Sequence, residues 1–365
     1  MRRTPTISVL AVLALALIAP SLARAQAPAG LAGALAWMRA EQQADGSFPG
    51  FGPGDTADAV IALVAAGEDL ADFAKGGSTP VSYLEAQAAG YATNPGAAAK
   101  LAMAAIAAGA DPASFGGLDL FAVIGKGYDP ATGQYGPDVY GHALALLAIK
   151  AAGATPPDAA VARLLAAQLP DGGWSFDGTE ATGSDTNTTG LALQALAGRA
   201  GPVNQARANA LTYLESQQND DGGFPYSQAS SFGTDSDVNS TAAAALGIRA
   251  AGGSPGDPRW QKNGNGPVEL IESLQNDSGA FRYQQAQADD NALATYQAVP
   301  ALAGATLPVA TAQVAGAQAA VAGGSSAQAA GLPATAEGRG APLGLIALLS
   351  LALVACGARL RRAVA

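Results

Sequence analysis

The chain has 365 residues, enough for one large domain with appendages, and only 13% of them are charged. Seven of its 19 Lys and Arg sit in the two terminal segments, whereas 28 of the 29 acids lie between them, so the body carries about −16. That surplus argues against nucleic acid and anionic lipid surfaces as partners. The only cysteine, Cys356, lies near the C-terminus, which leaves the body without disulfides, thiolate metal ligands or a cysteine nucleophile.

Residues 1–25 read as a secretory signal peptide. Arg2 and Arg3 precede an apolar run over 7–19, and Ala23-Arg24-Ala25 fits a small-residue cleavage site. The body, 26–305, then repeats one unit. The stretch QLPDGGWSFDGTEATGSDTNTTGLALQAL at 168–196 returns in the same order at 218–248 as QNDDGGFPYSQASSFGTDSDVNSTAAAALGI. Self-similarity at this spacing marks a repeat architecture.

In chain order, the first unit has a helix over 31–43, a turn at 45–48, and a second helix starting at Asp55 and ending at Gly67. A degenerate second unit covers 83–89 and 94–109. The third runs from Leu120 through Gly133-Gln134-Tyr135 to Asp138 and a helix ending at Gly153. The two stretches quoted above supply the fourth and fifth. The sixth begins near Glu269 and restarts at Asp289.

Two columns align. The first is Gln-x-x-x-Gly-x-aromatic: Gln42/Gly46/Phe48, Gln168/Gly172/Trp174, Gln218/Gly222/Phe224 and Gln275/Gly279/Phe281, with unit three keeping Gly133 and Tyr135. The second is an acid or amide opening the second helix: Asp55, Asn94, Asp138, Asp185, Asp237 and Asp289. Glycine supplies a positive-φ turn after an outer helix, the aromatic folds back on that helix, and the acid caps an inner helix. The inner helices are apolar on most faces and so read as buried on both sides. The expected fold is all-α, an α6/α6 toroid with six inner and six outer helices.

Residues 306–331, rich in Ala, Gly, Ser and Gln, read as a flexible linker. Residues 332–365 hold Leu332-Pro333-Ala334-Thr335-Ala336, an apolar run at 341–358 long enough to span a bilayer, and Arg359, Arg361 and Arg362.

The Gln-x-x-x-Gly-x-Trp/Phe column resembles the QW repeat of squalene–hopene and related terpenoid cyclases. The paired-helix ring resembles the wider α/α-toroid superfamily, which includes protein prenyltransferase β subunits and the α-domain of intrinsic factor and transcobalamin. The resemblance covers most of the body and implies the fold first. The cyclase protonating motif, Asp-x-Asp-Asp-Thr-Ala, is matched here by Asp237-Val238-Asn239-Ser240-Thr241-Ala242, with an amide where the acid would stand. An amide is no general acid. Asp185-Thr186-Asn187 and Asp289-Asp290-Asn291 carry the same Asn two positions on. Prenyltransferases hold zinc with Asp, Cys and His, and the body has no Cys and one His, His142. The cobalamin carriers close over a corrinoid with a further β-domain, which the linker here does not resemble.

Two readings of the second column stay open. Asp138, Tyr140, His142, Asp185, Asn187, Asp237, Asn239, Asp289 and Asn291 form the mouth of a binding barrel, for a small or apolar ligand or one of corrinoid type, or they simply cap helices. Calcium at these carboxylate–amide loops is a further reading. A structural or adhesive wall module and a terpenoid-type enzyme are the alternatives to a binding protein. Leu332–Ala336 resembles an LPxTG-type sorting signal with Ala336 in the last place. The resemblance implies a sortase-type transpeptidase as partner, cleavage after Thr335, and an extracellular domain held at the wall or by the C-terminal membrane helix.

Overall fold

A computed structural model describes residues 28–231 and 233–309. The expected leader at 1–25, the expected linker beyond residue 309, the expected sorting signal at 332–336 and the C-terminal apolar run lie outside the described residues. No helix among the described residues is long and apolar enough to cross a membrane.

Twelve α-helices run through the described residues: α1 (Ala29–Glu41), α2 (Pro53–Ala65), α3 (Pro80–Tyr91), α4 (Pro95–Ala107), α5 (Leu120–Lys126), α6 (Val139–Ala151), α7 (Asp158–Ala166), α8 (Thr186–Ala195), α9 (Pro202–Gln217), α10 (Val238–Ala250), α11 (Pro267–Ser273) and α12 (Ala292–Leu302). A two-residue hairpin, β1 (Tyr128–Asp129) with β2 (Gln134–Tyr135), sits between α5 and α6. The even-numbered helices form an inner ring. Each packs on its two even neighbours, and α12 packs on α2, so the ring closes.

The odd-numbered helices lie outside. The sequence suggested hairpins of an outer helix and the inner one after it. Instead α3 lies on α2, α5 on α4, α7 on α6, α9 on α8 and α11 on α10, while α1 lies on α12 across the seam. Composition follows position. Helix α6 buries eleven of its thirteen residues, whereas α1 buries five of thirteen in one stripe. Only a helix with protein on both sides is apolar all round. Small residues let the inner helices approach closely: a Cβ on Gly190 of α8 would stand 2.3 Å from the Ala243 carbonyl oxygen of α10.

Local chemistry sets the ends. Every inner helix is followed by a glycine at φ between 71° and 89°, namely Gly67, Gly109, Gly153, Gly198, Gly252 and Gly304. After α2, the Glu68 N–H reaches back to the Leu63 carbonyl and the Gly67 N–H to Val64, which satisfies the carbonyls a helix end leaves free. The turns after the outer helices use the first column. Gly46, Gly172, Gly222 and Gly279 all have φ near 90°, and each faces a backbone oxygen near the next outer helix. The closest are Gly46 and Gly279, where a Cβ would stand 2.3 Å from the Thr79 oxygen at the start of α3 and the Gly33 oxygen of α1. The glutamines staple the same junctions. The Gln168 amide donates to Gly172 of its own turn and to Ala206 of α9, both at 2.8 Å, and Gln218 does the same to Gly222 and Trp260. Gln275 donates to Gly279 and, across the seam, to Gly30 of α1 at 2.7 Å. Gln42 reaches Phe73, just before α3. Net gain per bond is about 1 kcal/mol, and the staples serve four of the six repeats.

Candidate functional site at the barrel mouth

The inner helices begin at one end of the ring. Asn94, Asp138, Asp185 and Asp237 cap α4, α6, α8 and α10 by accepting from the N–H three residues on, at 2.6–3.0 Å. Two expected starts are shifted. Helix α2 begins after Gly52, and Asp55 lies inside its first turn, where Oδ2 accepts from the Phe51 and Gly52 N–H groups. Helix α12 is capped by Asn291, and Asp289 is exposed two residues upstream. The Asn two places after the cap is therefore shared only by α8 and α10, as Asn187 and Asn239; at that place α12 has Leu293 and α6 has Tyr140.

Four residues after every cap but Asn94, where Ala98 stands, is a group that fixes the turn aromatic. Thr56, Thr189, Thr241 and Thr295 accept from the N–H of Phe48, Trp174, Phe224 and Phe281 at 2.9–3.1 Å. His142 takes the same role in α6. Its Nδ1 accepts from the Tyr135 N–H at 3.0 Å, which leaves Nε2 to donate to the Ala160 carbonyl at 2.9 Å. Burial pulls its pKa down to about 4, so it stays neutral, packed behind the mouth.

A cavity of about 530 Å³ fills the mouth, and every inner helix contributes to its wall. Polar groups come from Asp55, Lys100, Asp185, Asn187, Asn239 and Asn291. Aromatic walls come from Phe51, Tyr140, Phe176, Tyr226 and Tyr283, with the Tyr140 and Phe176 rings stacked at 5.8 Å. Of the nine residues singled out in the sequence, Tyr140, Asp185, Asn187, Asn239 and Asn291 line this cavity. Asp138, His142, Asp237 and Asp289 do not.

The mouth is electrostatically uneven. Burial raises Asp185 to about 6, against the pull of the Thr188 N–H and the Tyr226 hydroxyl beside it. Burial likewise raises Asp237 to about 7, opposed by Ser240 and the Tyr283 hydroxyl. Among the described residues, Lys100 is the only base on the wall. Burial disfavours its charge, but Asp58 at 2.8 Å, with Tyr91 and Tyr140, more than offsets that and holds it protonated. Among the described residues no group of three or more His, Cys, Asp or Glu side chains is placed to hold a metal ion.

Phe176, Tyr226 and Tyr283 were missed in the sequence, although the signal was present. Each stands two residues after a column aromatic, in Trp174-Ser175-Phe176, Phe224-Pro225-Tyr226 and Phe281-Arg282-Tyr283. Their carbonyls accept from the first N–H of the preceding inner helix, Val139, Thr186 and Val238, at 2.8–3.0 Å. Each extended segment thus covers its neighbour's helix start and turns a ring toward the cavity.

The opposite end is closed. The chain after α12 stays packed to Val309: Leu307 and Val309 lie on the core, and the Leu307 N–H donates to the Gln194 side chain of α8.

These features define an α/α toroid with one open mouth, and the same mostly helical ring is found in terpene cyclases. The type II terpene cyclase MstE from Scytonema superposes with a TM-score of 0.53 at 13% identity, over 75% of this chain and 97% of that one. A protein from Actinoplanes gives 0.53 at 16% identity, over 75% and 97%. Haptocorrin in complex with Cbi gives 0.50 at 12% identity, over 76% of this chain and 66% of that one. At such identities the likeness concerns the fold. No protein-family model and no curated protein matches the sequence.

Proposed function

We propose that this protein is a binding module that holds a small ligand in the mouth of the toroid, displayed outside the cell by its leader and tethered through the sorting signal or the C-terminal membrane helix. One observation carries the reading: the mouth keeps a cavity of about 530 Å³, within the range of small-molecule sites, lined by aromatic faces and a few buried polar groups. A wall module without a ligand would have no use for such a cavity, since the Ala- and Leu-rich centre packs without one. A flat corrinoid-type ligand is the version that the haptocorrin likeness brings to mind; a partner protein would then supply the lid.

A catalytic reading rests on Asp185, a carboxyl in an aromatic-lined cavity. It is weaker on two counts. Asn239 occupies the place of the cyclase acid, and its amide donates to Gln297 of α12 at 2.8 Å. Burial also moves Asp185 toward a weaker acid, the wrong direction for protonating an alkene.

Native mass spectrometry of the full chain, incubated with lipid extracts and with corrinoids, tests the binding reading. A retained adduct supports it; ligand-free spectra at every concentration reject it. Turnover of polyprenyl substrates, lost in Asp185→Asn, would establish the catalytic reading instead. Attachment is tested by Thr335→Ala, which abolishes wall linkage if a sortase-type enzyme reads the signal; unchanged linkage rejects that route.

A further inference from the structure

Among the described residues, few buried side-chain polar atoms lack a hydrogen-bond partner, and three of them are on the cavity wall: Asp185 Oδ2, Asn187 Oδ1 and Asn239 Oδ1. All three are acceptors, and all lie in the first turns of the adjacent helices α8 and α10. Asp185 is 1% exposed and Asn239 5%. Buried polar groups without partners cost roughly 1–3 kcal/mol each, so their concentration at one site calls for an explanation.

The neighbouring repeat shows that the orphaned state is not forced by the fold. Asp237 caps α10 as Asp185 caps α8, and its Oδ2 accepts from the Ser240 hydroxyl at 2.8 Å. At Asp185 the Thr188 and Tyr226 hydroxyls are near, yet Oδ2 has no partner of bonding geometry. The difference falls on the carboxylate that faces the cavity.

Charge narrows the occupant. Asp55, Asp185 and Asp290 line the wall against one base, and Lys100 is already paired with Asp58. The remaining wall is aromatic, from Tyr140 stacked on Phe176 to Phe51, which is 73% exposed at the rim. An aromatic face attracts a cation, and more strongly once water is excluded. An anion would meet carboxylates and unpaired amide oxygens. A metal ion would find no cluster of three acids or histidines among the described residues. A quaternary cation would leave the acceptors unsatisfied.

Building on the mouth as a binding site, we propose that its ligand is a primary or secondary organic ammonium on an apolar body, with its N–H groups directed to Asp185, Asn187 and Asn239 and its body against the tyrosine and phenylalanine rings.

The test uses the full chain at pH 7.5 and three probes that share one alkyl body: n-hexylammonium, n-hexanol and n-hexanoate, each titrated by calorimetry. The expected order is ammonium at least tenfold tighter than alcohol, with hexanoate weakest. Asp185→Asn keeps an oxygen to cap Thr188, removes the charge, and is expected to weaken hexylammonium tenfold or more while hexanol stays within twofold. Asn187→Ala, at a side chain whose oxygen makes no bond, is expected to cost several-fold and guards against a folding defect in the first variant. Equal affinity for alcohol and ammonium, or an unchanged Asp185→Asn, overturns the ligand class. If hexanol or a lipid binds at the mouth and hexylammonium does not, the class fails while the binding site stands. If none of the probes and no extract component binds, both fail together.

Discussion

The two ends of this barrel use polar groups in opposite ways. At the closed end, long basic side chains are spent on helix carbonyls. The Lys150 Nζ of α6 donates to Gln194, Ala195 and Ala197 at the end of α8, and Arg249 of α10 donates to Ala301 at the end of α12. Cations there also complement the negative ends of the helix dipoles. At the open end, each cap satisfies its own helix, yet acceptors on α8 and α10 are left over. The contrast teaches that the leftover groups are not a by-product of packing helices in a ring. The same ring, at its other end, leaves its cations engaged and its surface covered.

The largest expected effect tests what carries the open end. Trp174 is fully buried, and its indole N–H donates to the Leu164 carbonyl of α7 at 2.7 Å. It anchors the turn from which Phe176 extends to the cavity. Trp174→Ala is expected to destabilise the protein by about 3–5 kcal/mol, from lost burial and the void left behind. Urea denaturation measures it, and a loss below about 1 kcal/mol would mean the turn does not depend on the indole. At the closed end, Lys150→Met removes the ammonium's bonds to three carbonyls, of which Gln194 keeps the Ala197 N–H, for an expected cost of about 2 kcal/mol. Ligand binding at the mouth should stay unchanged, which would separate the two ends experimentally.

The ring was legible because its signals are local. Gln168, Gly172 and Trp174 lie within one turn, and a glycine that must adopt φ near 90° cannot be replaced without strain, so the column survives repetition. What the glutamines bridge was not legible. The bond from Gln275 to Gly30 joins the last repeat to the first, and no local pattern names its far partner. The misread helix starts have a similar cause. In Asp289-Asp290-Asn291 three residues suit a cap, and only the packing of α12 selects Asn291; at α2 the cap is Gly52, and Asp55 reaches back to it. Within the site, the Asp–x–Asn pairs were visible, but the cavity depends on Lys100 meeting Asp58 across two helices and on rings supplied by the following repeat. Those placements are tertiary.

A smaller effect sharpens the comparison between the twin caps. Asp185 and Asp237 are raised to about 6 and about 7 by burial, above an unfolded carboxyl near 3.9. The native state therefore binds their protons more tightly than the unfolded state does. Stability should rise as pH falls from about 7 toward 4, and be lost again as pH rises through that window. Asp55 and Asp138, also raised by burial, add in the same direction. The lowered, exposed Asp45 works in the opposite direction, as does His142, whose folded value of about 4 lies below the unfolded imidazole near 6.5 and offsets part of the gain. The expected gain between pH 7.5 and pH 5 is roughly 2 kcal/mol by urea denaturation. The Asp185→Asn, Asp237→Asn double variant, which keeps both caps, should flatten the slope. A native state that weakens on acidification over this range would contradict it.

The smallest expected effect concerns His142, which stands where four other repeats use a threonine. Thr56, Thr189, Thr241 and Thr295 accept from the turn aromatic in four repeats, His142 does so in a fifth through Nδ1, and the second repeat has Ala98 at that place. If its work is that of the threonines, His142→Thr should preserve the bond from Tyr135 and lose only the one to Ala160, together with some packing against the Tyr135 ring at 5.9 Å. The expected cost is about 1 kcal/mol, whereas His142→Leu, which strands the Tyr135 N–H, should cost about 2 kcal/mol or more. Neither variant should alter hexylammonium binding, because the imidazole packs behind the cavity wall and holds no proton near neutrality. A loss of binding in His142→Thr with stability intact would move the histidine from the scaffold into the site and enlarge the mouth by one helix face.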